Sequence, residues 1–269
     1  MLASLQLYFR LVRIQVRSQF QYRLSFVLDV FTTWIVSMMG FATLALVMQR
    51  FDNIAGWTIG EVAFLYGTVE LAFGIMDMVF SGFDPQNFGR QVRLGRLDQL
   101  LLRPASITLQ VLGSEFIIRR LGRIFQGAVI VIIAFYLTEI QWTAVKMCYY
   151  PMVVASLVCF FGGLFIIGAT ISFWALDSIE VMNVFTYGGS EMMSYPMSIY
   201  PTAMRWFFTY ILPGMFLNYY PALYILGKPD PLGMPGFAPF LAPFAGLGVM
   251  GAAILFWRYG LRSYQSTGT

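Results

Sequence analysis

The chain is predicted to be an all-α polytopic membrane protein with six transmembrane helices, and three observations lead there. Its 269 residues are 58% hydrophobic and only 11% charged, where soluble domains carry about 25% charged residues. Uncharged runs cover 30–49, 147–176, 206–227 and 231–257, the shortest of them 20 residues, and a helix needs about 20 apolar residues to span a bilayer. These runs are continuous, whereas the strands of a membrane β-barrel alternate over roughly 10 residues.

Residues 1–23 place Leu2, Leu5, Phe9, Val12, Val16 and Phe20 at helical spacing, with Arg10, Arg13 and Arg17 mostly on another face. That pattern predicts an amphipathic helix lying in the membrane interface; the plainer alternative is the solvated start of span one. No cleavable signal peptide is visible, because four Arg interrupt the first 23 residues and no early apolar core is left. Span one is therefore expected over 24–48, acting as its own insertion signal, with Asp29 near one end. A short loop covers 50–57. Span two, near 60–82, carries Glu61, Glu70 and Asp77. Each charge at the bilayer centre costs about 2.5–3.5 kcal/mol on insertion scales, so these carboxylates are expected to face protein, water or an Arg partner.

Residues 83–106 form a basic connection with Arg90, Arg93, Arg96 and Arg103. Leu94, Leu97, Leu101 and Leu102 are expected to make one apolar stripe on a short helix, Asp98 to cap or pair locally, and Pro104 to limit the helix. Span three is predicted as one long helix, beginning near Ile107 as a stem with Glu115, Arg119, Arg120 and Arg123 and running uncharged over 124–138. After a loop with Glu139 and Lys146 comes span four, near 148–175, where Gly162, Gly163 and Gly168 permit close helix contact. A turn with Asp177 and Glu180 leads to span five, interrupted by Gly188, Gly189, Glu191 and Pro196. Within 195–236, Pro196, Pro201, Pro213 and Pro221 cut a Tyr- and Phe-rich stretch into short pieces. It reads as re-entrant half-helices, tolerated at membrane depth only where protein or water covers the backbone. Span six lies near 238–257. The whole chain, 1–269, is read as one transmembrane domain.

Charge fixes the expected orientation. Arg10, Arg13, Arg17, Arg23, Arg90, Arg93, Arg96, Arg103, Arg119, Arg120, Arg123, Arg258 and Arg262 fall on one side, and Arg50, Lys146, Arg205 and Lys228 on the other. That is 13 of the 17 basic residues against 4, so both termini are expected in the cytoplasm. The pI of about 9.1 follows from this bias; no nucleic-acid motif accompanies it. The sequence contains no histidine, which removes Ser-His-Asp chemistry, His-based zinc sites and His relays. Cys148 and Cys159 are about 16 Å apart along one predicted helix, too far for a disulfide, and match no metal spacing. They read as small packing residues.

Several features together resemble the permease subunits of ABC-2-type ABC transporters, in a poorly characterised six-helix branch. They are the amphipathic start, the six spans, and the stretch from Arg96-Leu97-Asp98 to Arg103-Pro104. To these are added Leu212-Pro213-Gly214-Met215-Phe216 through Tyr220-Pro221-Ala222-Leu223-Tyr224, and the tail Gly260-Leu261-Arg262-Ser263-Tyr264-Gln265-Ser266-Thr267-Gly268. The resemblance covers the whole chain. It implies a heteromeric exporter in the cell membrane: two such subunits, identical or homologous, over two copies of a separate ATPase that carries ATP and Mg. The chain has no Gly-x-x-x-x-Gly-Lys-Ser/Thr loop, and Lys occurs only at 146 and 228, so the nucleotide falls to that other polypeptide.

On this reading Arg90, Arg93, Leu94, Arg96, Leu97, Asp98, Leu101 and Arg103 dock on the ATPase, the Arg rim meeting its acidic residues or lipid phosphates. Pro196, Pro201, Pro213, Tyr219, Tyr220 and Pro221 form an outer gate. The cargo is expected to be hydrophobic or amphipathic, drug- or lipid-like. Glu70, Asp77, Glu115, Arg119, Arg120 and Arg123 form an intramembrane polar network, read as an ion-pair brace between spans two and three or as a proton relay. The relay reading makes the alternative function, a proton-coupled secondary transporter using Glu70 or Asp77; dependence on a partner ATPase separates the two. A membrane-embedded enzyme is disfavoured, since the spans offer neither His nor a metal cluster.

Overall fold

Local chemistry sets where each helix starts and stops. The computed structural model describes residues 2–21, 23–50, 53–175 and 179–264; Asp177 and the tail from Gln265 lie outside them. Among the described residues the chain is helical, without a strand. α1 (Leu2–Phe20), α2 (Arg23–Arg50) and α3 (Ile59–Val79) come first. α4 (Pro85–Arg93) opens with proline at its first turn, where no backbone N–H is needed, and the Asp84 carboxylate accepts the Gln86 N–H at 3.2 Å. Gly95, with φ +66°, ends α4 and starts α5 (Arg96–Leu101); only glycine adopts this backbone without strain. α6 (Ile107–Ser114), α7 (Leu121–Leu137) and α8 (Ala144–Ile171) follow.

α9 (Ile179–Asn183) passes through a π-helical stretch, Val184–Gly188, into α10 (Gly189–Met193). α11 (Thr202–Trp206) continues as π-helix over Phe207–Ile211, and a further π stretch, Met215–Tyr219, leads into α12 (Tyr220–Leu226). A 3₁₀ turn, Ala238–Leu241, precedes α13 (Ala242–Ser263).

Among the described residues, five segments are long and apolar enough to cross a membrane: Arg23–Thr43, Ile59–Val79, Ile118–Leu137, Ala144–Ile171 and Ala238–Ser263. The expected span five is shorter. Ile179–Met193 rises about 22 Å at helical pitch, against a hydrocarbon core of about 30 Å. Its last residue is tied to α3: Asn218 Nδ2 donates to Met193 O at 2.8 Å and to Leu65 O at 3.3 Å. Of the pieces that follow, the π stretch Met215–Tyr219 packs against α10 and α3.

An antiparallel pair, α3 with α7, and a parallel pair, α8 with α13, form the centre. α3 meets α7 along glycines: Gly67 lies against Val131, Gly74 against Ile124, and Gly127 so close to Leu71 that a Cβ there would stand 2.5 Å from the Leu71 nitrogen. α8 meets α13 in the same way, Gly246 against the Ser156 backbone and Gly163 against Met250. Small residues let transmembrane backbones approach closely. Between the pairs, Phe73 packs on Phe161 and Phe165. Of the two cysteines, Cys159 is partly covered and Cys148 is exposed.

One expectation about the helices is corrected. Span three is not a single helix from Ile107. α6 ends at Ser114, Glu115 is extended (φ −136°, ψ 121°), and helix resumes at Ile118. The two parts serve different neighbours: Gly113 of α6 packs on Leu11 of α1, and α7 packs on α3. The backbone freed at the break is taken by α1. Gln15 Nε2 donates to Ser114 O at 2.6 Å, Gln19 Nε2 donates to Phe116 O at 2.5 Å, and the Ile118 N–H donates to Gln19 Oε1 at 3.0 Å. Among the residues of α1 the reading of an interfacial amphipathic helix singled out the apolar and basic ones; these two amides escaped it.

Candidate functional site

Seven residues apart on α3, Glu70 and Asp77 share a face and meet arginines from α7 and the turn before it. Arg123 Nε and Nη2 each donate to Glu70 at 2.7 Å, a two-pronged pair in which Glu70 is 5% and Arg123 15% exposed. The guanidinium also lies 4.4 Å from the centre of the Phe73 ring. Arg120 Nε stands 2.8 Å from Asp77 Oδ2. Glu70 therefore has both oxygens occupied, the arrangement a charge needs where water is excluded. At the other end of α3, Glu61 receives Lys228 Nζ at 2.7 and 2.8 Å, and Glu61 Oε2 also accepts the Thr58 N–H at 2.8 Å, bracing the first turn.

Beside the Glu70–Arg123 pair opens a cavity of about 410 Å³ between α2, α3, α7 and α10. Thr32, Thr33, Ser37, Tyr66, Glu191 and the two ion-pair arginines line it. Glu191 drew attention in the sequence only as an interruption of a span; nothing there placed it opposite Glu70. Gln126 Nε2 donates to Ser37 O at 2.8 Å and fixes α2 along this wall. On the neighbouring side of the same helix pair is an apolar groove of about 490 Å³, lined by Phe26, Val30, Phe31, Trp34, Gly122 and Phe125.

Glu115 and Arg119 lie elsewhere. Glu115 accepts from Asn87 Nδ2 at 3.3 Å and lines a polar cavity of about 520 Å³ with Gln15, Gln19, Asp29, Arg90 and Arg119. Arg119 is exposed. Burial raises the Glu115 carboxyl, and the Asp84 carboxylate adds to the rise, while Arg90 and Arg119 oppose it. Burial also raises Asp84, against the Gln86 hydrogen bond that lowers it. The six residues expected in one network are thus divided between the α3–α7 seam and this cavity.

The basic connection is two short helices around Gly95, and the expected apolar stripe splits. Leu97 is 1% exposed and packs in the protein's own core, whereas Leu94 is 59%, Leu101 41% and Leu102 86% exposed. Gly95 turns the chain, so positions 94 and 97 do not continue one helical face. Arg90, Arg93, Arg96 and Arg103 are exposed and Asp98 half-buried. Asp98 and Arg93 each have a partner, and Arg90 Nη2 donates to Asn87 Oδ1 at 3.0 Å. Underneath, the root of the connection is held by rings. Trp257 of α13 sits 5.0 Å from Phe83, 5.4 Å from Phe88 and 5.4 Å from Phe173, and its Nε1 donates to Thr108 Oγ1 at 3.0 Å. α4 is thereby anchored to the ends of α8 and α13.

At the opposite end, Pro196 and Pro221 are buried, Pro213 half-buried and Pro201 exposed. Tyr219 and Tyr220 are 1% and 3% exposed; Tyr219 packs 5.7 Å from Trp57 and 5.4 Å from Tyr220. Lys146 Nζ donates to Ile225 O at 2.8 Å, joining α8 to α12.

A family model described as an ABC-2 family transporter protein matches residues 34–268. No curated protein and no solved structure matches the chain.

Proposed function

This chain belongs to the ABC-2 transporter family as the multi-pass permease subunit of an ABC transporter, and from that premise we propose that it is half of the membrane part of an ATP-driven exporter. Its family implies an ABC ATPase as partner. Two copies of that ATPase, and a second permease subunit identical or homologous to this one, complete the proposed assembly. ATP and Mg reside on the ATPase. The protein lies in the cell membrane with both termini in the cytoplasm, the orientation that the 13-to-4 bias of its basic residues favours.

One observation carries the proposal: the basic connection offers a surface outward and a rigid root inward. Leu94, Leu101 and Leu102 are exposed beside Arg90, Arg96 and Arg103, so an ATPase groove with an acidic rim would bury the leucines and meet the arginines. The same segment is pinned through Phe83 and Phe88 to Trp257. A displacement of α4 by a closing ATPase dimer would reach α13 and α8 through packed rings, which are close-packed and transmit strain. The π stretches and prolines over 196–226 make the natural yielding part at the far end, where an outer gate would open. Glu70 and Asp77 each already hold an arginine, which speaks for the brace rather than the proton relay.

The test is co-purification of the chain from its native membrane with an ABC ATPase, followed by ATP turnover in lipid. Leu97 is part of the core, so the informative variant is Leu101→Glu with Leu102→Glu. Loss of the complex in that variant, with the permease still monodisperse, supports docking. An intact complex with unchanged turnover removes the docking role, and absence of any ATPase association overturns the pump.

A further inference from the structure

We propose that the cavity between α2, α3, α7 and α10 binds the cationic head of an amphipathic substrate, with Glu191 as the recognising carboxylate. The inference rests on the chain being a transport subunit and names the class of molecule it carries. Four charged side chains line the cavity: Glu70, Arg120, Arg123 and Glu191. Arg123 is held on both Glu70 oxygens at 2.7 Å and Arg120 on Asp77 at 2.8 Å. Among the described residues, Glu191 has no ion pair and its side chain no hydrogen bond. Once the pairs cancel, the wall carries one negative charge.

Depth matters as much as sign. Glu191 lies within two residues of Met193, whose carbonyl shares the Asn218 amide with Leu65, and its cavity is lined by Glu70 in the middle of α3. Glu191 is exposed on the cavity wall, and a carboxylate without an ion pair of its own that faces a cavity at membrane depth marks a substrate or ion pathway. A cation entering here would regain the missing partner. The arginines, already engaged, have little left for an anion.

The rest of the lining suits an organic cation over a bare metal ion. Thr32, Thr33 and Ser37 bring hydroxyl-bearing side chains and Tyr66 an aromatic one, the residue types that favour organic cations. A volume of about 410 Å³ lies within the range of about 300–1,000 Å³ typical of small-molecule sites. The apolar groove with Phe31, Trp34 and Phe125 runs along the adjoining side of the same helix pair, where an apolar tail would find cover.

The experiment uses two ions of the same shape and opposite charge, tetraphenylphosphonium and tetraphenylborate, each radiolabelled, against the purified full-length chain in detergent. Binding is read as the saturable part displaced by unlabelled ion. Expected are saturable binding of the phosphonium, at least about tenfold weaker binding in Glu191→Gln, near-native binding in Glu191→Asp, and no saturable binding of the borate. Ser37→Leu fills the cavity without touching a charge and should also weaken the phosphonium. Equal binding of both ions, or a Glu191→Gln variant that folds and binds as before, overturns the proposal. Should Glu191→Gln fail to fold, an unaffected Ser37→Leu overturns it instead. Failure here with an intact ATPase complex removes the substrate class alone; loss of that complex bears on the permease reading and leaves the binding result standing.

Discussion

α2 and α3 are consecutive helices of nearly equal hydropathy, and their places in the protein are opposite. Within their spanning windows 78% of α3 is buried inside the protein and 0% of α2. The difference is written in paired charge, since the one acidic residue of α2, Asp29, is exposed. α3 carries Glu61, Glu70 and Asp77, each met by a cation from another element, while outward positions of α2 such as Leu24, Val27 and Leu28 face away from the protein. Hydropathy asks only whether a helix can sit in a bilayer. Charges inside the span say which helix must sit within protein, because lipid offers them no partner.

That contrast breaks most sharply at the seam. Arg123→Leu leaves Glu70 buried and alone, and should cost about 3–5 kcal/mol, read as a drop in thermal unfolding in detergent; adding Glu70→Gln should restore most of it. If the single variant melts like the parent, α3 is not braced by this pair. Next comes Gly127→Val, whose side chain would collide with the Leu71 backbone. Overpacking of this kind costs about 1–3 kcal/mol and should reduce the yield of monodisperse protein, while the same change at Gly251 of α13, where a Cβ meets nothing within 4 Å, should not.

Smaller effects are expected at the interfacial side. Gln15→Ala with Gln19→Ala removes the hydrogen bonds to the 114–118 break, at about 1 kcal/mol for each bond lost, and hydrogen exchange should quicken at 114–118 with α3 unchanged. Uniform quickening would mean that the break is not a local feature. Glu115 and Asp84 give a pH dependence. Both carboxyls are raised by burial, so the folded state holds their protons more tightly than the unfolded one. Their contribution is full below the ordinary carboxylate range and is lost as pH rises through the raised values. Glu115→Gln should flatten that part of a stability–pH curve, and a steeper curve would contradict the sign. Smallest of all, Leu28→Ala on the outward face of α2 should stay within about 0.5 kcal/mol. A larger loss would show that this face is covered in the assembled protein.

These two helices also show what was legible in the sequence. Uncharged runs and their flanking arginines announce the spans, and carboxylates seven apart announce that α3 has an inward face. The split of Leu94 from Leu97 was hidden, because it depends on a left-handed Gly95 that hydrophobic spacing does not reveal. The break after Ser114 was hidden for another reason: it has no proline and a weak local signal, and exists because α1 and α3 draw its two halves to different partners. Glu191 looked like punctuation in a broken span. Its position beside Glu70 follows from the π-helical stretch before it and from Asn218, a contact 153 residues away from Leu65.

The glutamine clip has a consequence for biogenesis. Gln15 and its acceptor are 99 residues apart in the chain, so α1 leaves the ribosome long before the backbone it caps exists. α1 must therefore wait until the third span is made, while that span meets its capping helix as soon as it emerges. Closure of the clip would set the register of that span before α8 and α13 are made.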